Sequence, residues 1–161
     1  MSQPKVGILM GSPSDAEVMR AGADILEDFG VPFEMKVLSA HRIPDKTAEY
    51  ARSAEKRGIK VLIGGAGMAA HLAGTLAAHS ILPVIGVPVG GGSLGGSDAL
   101  LATVQMPGGI PVATVSIGKA GAKNAGLLAV QILRQSDPTL VKKLHEYRQE
   151  MRKKIESITL E

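Results

Sequence analysis

Five short runs of β-branched and other apolar residues alternate along this chain with longer segments of helical periodicity. Strands are predicted at residues 5–10, 33–38, 60–65, 82–87 and 111–117. Helices are predicted near residues 14–29, 45–57, 68–79, 97–105, 120–134 and 137–157. Strands that alternate with helices pair in parallel, because a parallel connection needs a crossover of about a dozen residues or more. The pattern therefore indicates an α/β fold.

Right-handed crossovers leave few arrangements for such a chain. We expect a three-layer, doubly wound parallel sheet in the flavodoxin-like strand order 2-1-3-4-5, followed by a C-terminal helix. The Rossmann strand order is the alternative. The 161 residues are the length of one ordinary domain, which buries about two-thirds of the surface of its unfolded chain. A single domain spanning residues 1–161 is predicted.

Two of the predicted helices, near 68–79 and 120–134, are apolar on nearly all sides. Helices of this kind must be buried on all sides. A small domain with two Phe, two Tyr and no Trp hides both of them with difficulty. We therefore expect subunit contacts and a closed, symmetric homo-oligomer. The alternative is that the sheet alone covers these helices.

The composition excludes several kinds of chemistry. The chain has no cysteine, so disulfides, thiolate nucleophiles and cysteine-ligated metal centres are excluded. No segment reaches the roughly 18 to 20 uncharged apolar residues that a membrane span needs. The opening "MSQPKVGILMGS" also lacks the features of a signal peptide. We expect a cytoplasmic protein with no membrane partner.

The formal net charge of +3 raises the question of nucleic-acid binding. The densest basic stretch, residues 137–161, holds six Lys or Arg but also five acids, as expected for a solvated helix face. The few aromatic residues leave almost nothing on which bases can stack. No nucleic-acid partner is predicted.

Polar residues follow the first predicted strand, at the sheet edge where the ends of parallel strands meet. The segment "MGSPSD" offers the hydroxyls of Ser12 and Ser14 beside the free N–H groups of a helix start, which is typical of a phosphate cradle. Asp15 either caps the helix or accepts hydrogen bonds from sugar hydroxyls. The segment lacks the full dinucleotide-binding glycine pattern and the Walker lysine, so neither a dinucleotide nor a nucleoside triphosphate is specifically indicated.

The next two strands end in "SAHRIPD" and "GAGMAAH". Arg42 supplies a fixed charge that suits a phosphate, and His41 can give and take a proton near neutral pH. His71 is predicted about one turn into the third helix. For each histidine a structural role is the alternative.

Residues 89–109 contain seven glycines and form either a flexible connection or a mobile lid over the ligand. The sequence has no metal-binding His or Asp pattern, no Gly-x-Ser-x-Gly elbow and no acid pair suited to glycoside chemistry. The residues together indicate a small anionic ligand, a phosphorylated sugar, and proton transfer by one histidine without a metal.

Six segments resemble one known family, in the same order and spacing from about residue 5 to 134. They read "GSPSD", "SAHRIPD", "GAGMAAHLAG", "LPVIGVPV", "SLGGSDALLATVQMPGGIPVATVSIG" and "AKNAGLLAVQIL". Together they are similar to the class I N5-carboxyaminoimidazole ribonucleotide mutases of purine biosynthesis. The resemblance implies a flavodoxin-like homo-octamer that converts N5-carboxyaminoimidazole ribonucleotide to 4-carboxyaminoimidazole ribonucleotide without metal, ATP or another cofactor.

The resemblance also implies roles for particular residues. The substrate contacts of the family fall on Ser12, Asp15 and Arg42, with Ser14, Ser39, Ala66 and Gly67 nearby. Its general acid and base falls on His41, and its second active-site histidine falls on His71. In the implied mechanism the N-carboxylate leaves as carbon dioxide, the ring carbon attacks that carbon dioxide, and His41 relays the proton.

The chain departs from the usual family pattern at three positions, where it has Met68, Ala73 and Ala99. Met68 lies next to the predicted carbon dioxide pocket, which its side chain would narrow. Class II relatives, which carboxylate aminoimidazole ribonucleotide directly, tend to have lysine at the position of Arg42. The arginine favours the mutase, while a class II carboxylase and a non-catalytic nucleotide-binding module stay open as alternatives.

Overall fold

A computed structural model describes residues 3–159 and places five parallel strands in one sheet. The strands are β1 (Val6–Met10), β2 (Phe33–Val37), β3 (Val61–Gly67), β4 (Val84–Val89) and β5 (Ala113–Thr114). Their order is β2-β1-β3-β4-β5, and in β1 Val6 lies opposite Phe33 on one side and Val61 on the other. The flavodoxin-like order is confirmed, and the alternative Rossmann order is wrong.

Helices cover both faces of this sheet. They are α1 (Ala16–Phe29), α2 (Pro44–Ala54), α3 (Leu72–His79), α4 (Ser97–Val104), α5 (Gly118–Leu133) and α6 (Thr139–Glu156), with a 3-10 turn at Pro13–Asp15. Along β1, Ile8 and Met10 pack against α1 and α5, whereas Leu9 packs against α2 and α3. Alternate side chains of a strand point to opposite faces, so β1 needs apolar residues at every position.

The contact between α1 and α5 depends on glycine. A methyl group on Gly22 would lie 2.7 Å from the carbonyl oxygen of Ala122, and one on Gly126 would lie 2.6 Å from the carbonyl oxygen of Gly22. The two helix backbones therefore approach too closely for any side chain at these two positions. Such packing buries much of α5 within its own subunit, including Ala125 and Ala129.

The third helix begins four residues later than predicted, at Leu72. The reason is Met68, whose φ of 51° places it in the left-handed region and interrupts helical geometry. Two tight hydrogen bonds, from Ala70 N–H to the Met68 carbonyl and from His71 N–H to the Ala69 carbonyl, fill the gap. His71 consequently stands just before α3, and its predicted position one turn into the helix is wrong.

The fifth strand is much shorter than the predicted 111–117. It pairs with β4 only through Ala113 opposite Ile85 and Thr114 opposite Gly86. An edge strand has one neighbour, and Pro111 has no N–H to donate to a ladder. The other predicted boundaries agree within two residues, the usual uncertainty at element ends, apart from the end of α2, which lies at Ala54 and not at the predicted residue 57.

The final helix packs on its own subunit through its first half. Leu140 is buried, the Tyr147 ring lies 5.7 Å from that of Phe29, and the Lys143 ammonium donates to the Phe29 carbonyl at 2.7 Å. Its last turns are exposed. No helix within residues 3–159 is long and apolar enough to cross a membrane.

Candidate active site

A cavity of about 530 Å³ opens at the carboxyl edge of the sheet. The turns after β1, β2, β3 and β4 line it, although they are far apart in the sequence. All nine candidate residues lie around this one cavity: Ser12, Ser14, Asp15, Ser39, His41, Arg42, Ala66, Gly67 and His71. Their convergence is a property of the parallel sheet, because its strands all end at the same edge.

The turn after β1 presents two hydroxyls held in fixed positions. The Ser12 hydroxyl accepts hydrogen bonds from the Ser14 N–H at 3.3 Å and from the Ser14 hydroxyl at 2.9 Å. The Ser12 N–H donates to a carboxylate oxygen of Asp15 at 3.1 Å, which completes a capping box around the 3-10 turn. The turn is thus ordered before any ligand binds, which favours recognition of a small anion.

Asp15 is buried in this turn. Burial raises the pKa of its carboxyl, while hydrogen bonds from the Ser12 N–H and the Ser14 hydroxyl act in the opposite direction. Asp15 is the N-cap residue of α1, but its carboxylate makes no capping hydrogen bond to that helix. It caps the preceding turn instead and borders the cavity, where its oxygens can accept hydrogen bonds from a ligand.

The turn after β2 is organised by Ser39. This serine is buried, and its hydroxyl accepts a hydrogen bond from the Arg42 N–H at 3.2 Å. Its carbonyl accepts another from the Ile43 N–H at 3.0 Å, immediately before α2 begins. Ser39 thereby fixes the backbone that carries His41 and Arg42, whose own side chains stay exposed at the cavity.

The two histidines meet directly. Nε2 of His41 lies 2.8 Å from Nδ1 of His71, and the rings are 4.9 Å apart in an edge-on arrangement at 82°. One nitrogen of this contact must donate and the other accept, so a hydrogen bond joins the two rings. Such a pair can pass a proton to a ligand and take one back. Residues 3–159 bring no three potential metal-ligating side chains together, so the pair is not part of a metal cluster there.

The end of β3 forms the floor of the cavity through Ala66 and Gly67. A methyl group on Gly67 would lie 3.1 Å from the carbonyl oxygen of Val89, at the end of the neighbouring strand. This close approach leaves little space for a larger residue. Because the side chains at Ala66 and Gly67 are small or absent, a planar ring can lie against the backbone here.

The sequence predicted a lid at residues 89–109 and placed Met68 beside the pocket, but neither was named among the substrate-binding residues. Met68 lines the cavity after β3. The end of β4 and the turn that follows it also line the cavity, through Val89, Gly90, Gly91 and Gly92. Both signals were present in the sequence, as a glycine-rich segment after a strand and as a departure from the family pattern.

The chain is similar to known proteins over most of its length. The family model described as AIR carboxylase matches residues 5–154. The chain is 62% identical over 147 residues to N5-carboxyaminoimidazole ribonucleotide mutase of Bacillus subtilis, covering 91% of each protein. It is 58% identical over 153 residues to the protein of the same name from Pyrococcus abyssi, covering 95% of this chain and 87% of that protein.

The fold of this chain is also similar to that of a solved structure. The crystal structure of Treponema denticola PurE matches with a TM-score of 0.85 at 29% identity, covering 94% of both chains. The sequence matches and the structural match each cover nearly the whole length of this chain. This chain belongs to the AIR carboxylase family.

Proposed function

We propose that this chain is an N5-carboxyaminoimidazole ribonucleotide mutase that uses His41 as its proton carrier. The observation that carries the residue assignment is the 2.8 Å contact between His41 and His71, placed at the wall of a cavity whose other turns are built for an anion. Relatives bearing that enzyme name are 51% to 62% identical to this chain. The reaction belongs to purine biosynthesis.

The reaction moves a carboxyl group from the exocyclic nitrogen of the substrate to C4 of its imidazole ring. The bond between nitrogen and the carboxyl carbon breaks, carbon dioxide leaves, and the nitrogen takes up a proton. C4 then attacks the carbon dioxide and surrenders its own proton. One proton is taken up and one is released, so a single residue that acts as acid and then as base balances the reaction. The remaining requirements are positioning and exclusion of water.

The cavity supports a definite orientation of the substrate. The phosphate lies at the Ser12–Ser14 turn and Arg42, where hydroxyls, backbone N–H groups and a guanidinium converge. The buried Asp15 carboxylate accepts hydrogen bonds from the ribose hydroxyls. The imidazole ring lies over Ala66 and Gly67, with its reacting edge toward His41.

His71 supports the proton transfer through His41. Because its Nδ1 faces Nε2 of His41, it orients that ring and takes part in its proton equilibrium. No metal or cofactor enters the proposed reaction. The chemistry needs neither, since the carboxyl group is already part of the substrate.

The enzyme acts as a homo-oligomer, and the octamer implied by the family resemblance is the proposed state. Exposed apolar residues support association: Ile81, Leu94, Leu101 and Val104 lie on the surface of the single subunit. The proposed cellular location of this enzyme is the cytoplasm.

Incubation with two substrates tests the proposed reaction. The protein is mixed with N5-carboxyaminoimidazole ribonucleotide, or with aminoimidazole ribonucleotide and bicarbonate, and the 4-carboxy product is followed. We expect rapid product from the first mixture. Product from the second mixture alone would identify a class II carboxylase, whose usual lysine is here Arg42. Ligand binding with no product from either mixture would identify a binding module.

A further inference from the structure

Met68 adopts a backbone conformation that disfavours any side chain. Its φ is 51°, and within residues 3–159 it is the one non-glycine residue in the left-handed region. Glycine would occupy this position without strain, whereas an unbranched side chain gains no local hydrogen bond that offsets the strain. A strained residue that borders a cavity points to a role for its side chain there.

The side chain of Met68 is not part of the core. It is 61% exposed and lines the cavity beside Ala69 and His71. A methyl group built on Gly92 would lie 3.4 Å from Cγ and 3.5 Å from Sδ of Met68. The thioether chain therefore lies against the backbone of the glycine-rich turn after β4.

That turn has few other contacts near its tip. A methyl group on Gly91 would meet nothing within 4 Å, whereas one on Gly90 would lie 3.6 Å from the Gly95 carbonyl and from the Ile117 side chain. The base of the turn is therefore anchored to its own subunit. At Gly92 the neighbouring side chain is that of Met68.

We propose that Met68 is a positioning residue that holds the turn at residues 90–92 over the mouth of the cavity and so retains carbon dioxide during the reaction. This role rests on the proposed function. Carbon dioxide has no charge by which a protein can hold it, so an apolar barrier against escape and against water is the means available. A polarizable, adaptable thioether suits a contact with a bare glycine backbone.

Escape of carbon dioxide can be measured from the products that the reaction leaves. When the bond between nitrogen and carbon breaks and carbon dioxide leaves the cavity, aminoimidazole ribonucleotide remains and the gas hydrates to bicarbonate. When carbon dioxide is retained, the 4-carboxy product forms instead. The ratio of aminoimidazole ribonucleotide to 4-carboxy product therefore measures leakage, once the loss without enzyme has been subtracted.

Four variants separate strain from contact. Met68→Ala keeps the left-handed strain and removes the contact, Met68→Gly removes both, and Met68→Leu keeps most of the side-chain volume. Gly108→Ala is the control, because it stiffens an exposed turn outside the cavity lining, at a position where a methyl group meets nothing. Met68→Gly is expected to unfold at a higher temperature than Met68→Ala, which checks that strain has been relieved.

Two readouts test the proposal, the product ratio and the hydrogen exchange of amides 90–96. In Met68→Ala and Met68→Gly we expect faster exchange and leakage raised by about tenfold, a modest effect for a looser reaction site. Met68→Leu and Gly108→Ala should stay within about threefold of the parent. A structural role alone would change stability without changing the product ratio.

The outcomes distinguish this proposal from the proposed function. If the parent forms product and the Met68→Ala ratio equals that of the parent, the role of Met68 is wrong and the function stands. Unchanged exchange of amides 90–96 in Met68→Ala also overturns the role. If the parent forms no 4-carboxy product from N5-carboxyaminoimidazole ribonucleotide, the proposed function is wrong and the retention role falls with it.

Discussion

The contact between His41 and His71 joins side chains that are 30 positions apart in the sequence. One comes from a turn whose backbone Ser39 fixes, and the other stands immediately before α3. Neither ring is buried, so its orientation depends on the partner ring and on a bound ligand. A pair of this kind lends itself to proton transfer more than to stability, since exposed hydrogen bonds contribute little to folding.

The first prediction concerns His41→Asn. Asparagine keeps a hydrogen-bonding group but cannot carry a proton near neutral pH, so turnover should fall at least about 100-fold. Binding of the 4-carboxy product, measured by calorimetry, should change little. The exposed His145→Asn is the control and should keep the parental rate. Turnover of His41→Asn within about tenfold of the parent, roughly 1.4 kcal/mol in the barrier, would contradict the proton-transfer role.

The second prediction concerns Arg42→Ala. Loss of a charge-assisted hydrogen bond of about 1.5 to 3 kcal/mol should weaken binding of the ribonucleotide by roughly 10- to 100-fold. The dephosphorylated nucleoside should bind the variant and the parent almost equally. Lys46→Ala removes another exposed cation from the start of α2 and serves as the control. Equal losses for nucleotide and nucleoside would place the phosphate elsewhere.

At the scale of elements, the edge strand β2 is tied to α2 and to the segment after it by a polar cluster. The Tyr50 hydroxyl donates to Glu34 at 2.7 Å, Arg57 pairs with the same carboxylate, and Lys36 lies 3.1 Å from its other oxygen. The Arg57 guanidinium also stacks 4.4 Å from the Tyr50 ring centre. Burial acts to raise the pKa of Glu34, but the hydrogen bonds from Arg57, Tyr50 and Lys36 outweigh it and lower the pKa to about 2.

The third prediction follows from that pKa. The pKa of Glu34 is lower in the folded chain than its value of 4.5 in the unfolded chain. The ionised carboxylate therefore stabilises the fold at pH values above 4.5, and this stabilisation is lost as the pH falls from 4.5 towards about 2. Glu34→Gln should therefore lower the free energy of unfolding at pH 7 by about 1 to 3 kcal/mol. The difference from the parent should shrink towards pH 2 in denaturant titrations. The exposed Glu49→Gln should show no such dependence, and a constant deficit in Glu34→Gln would contradict the linkage.

Most elements of the fold could be predicted from the sequence because local and long-range requirements agree. The first helix ends at Phe29, as predicted, and is followed by Gly30, whose φ of 70° is the left-handed conformation that glycine adopts readily at a helix end. The strands β1, β3 and β4 are apolar runs that are largely buried in the sheet, whereas the edge strand β2 is partly exposed and carries Glu34 and Lys36. The length of β5 could not be predicted, since it depends on how far a single neighbouring strand can pair with it.

The candidate site was predictable in part for the same reason. Parallel strands end at one edge, so the serine turn and the turn carrying His41 and Arg42 had to converge. The contact between the imidazoles was not predictable, because it depends on the late start of α3, which follows from the left-handed backbone of Met68. Side-chain periodicity carries no signal for a single residue of positive φ.

At the scale of the whole molecule, the exposed apolar residues call for an explanation. Ile81 is 88% exposed just beyond α3, and Leu101 and Val104 protrude from α4. Isolated exposed apolar residues are ordinary in monomers. Their recurrence on neighbouring elements, next to helices of low polarity, favours burial between subunits.

The fourth prediction is the mass of the assembly. Light scattering coupled to gel filtration should give about 134 kDa, eight times the 16.7 kDa chain. Leu101→Glu should reduce this mass while leaving the helix content by circular dichroism unchanged, because a charge in a subunit interface is strongly unfavourable. Lys60→Glu, an exposed change at the other end of the sheet, is the control. A parent that runs as a monomer at micromolar concentration would contradict the oligomer.

The most direct measurement is a crystal structure of the protein with 4-carboxyaminoimidazole ribonucleotide. We expect the phosphate within hydrogen-bond distance of the Ser12–Ser14 turn and Arg42, and the carboxylated ring carbon beside His41. The groove between α2 and α3, about 590 Å³ and lined by Arg52 and His79, offers the ligand another place. A nucleotide bound in that groove would contradict the proposed active site. A nucleotide bound at the carboxyl edge with its ring turned away from both imidazoles would contradict the proposed role of His41.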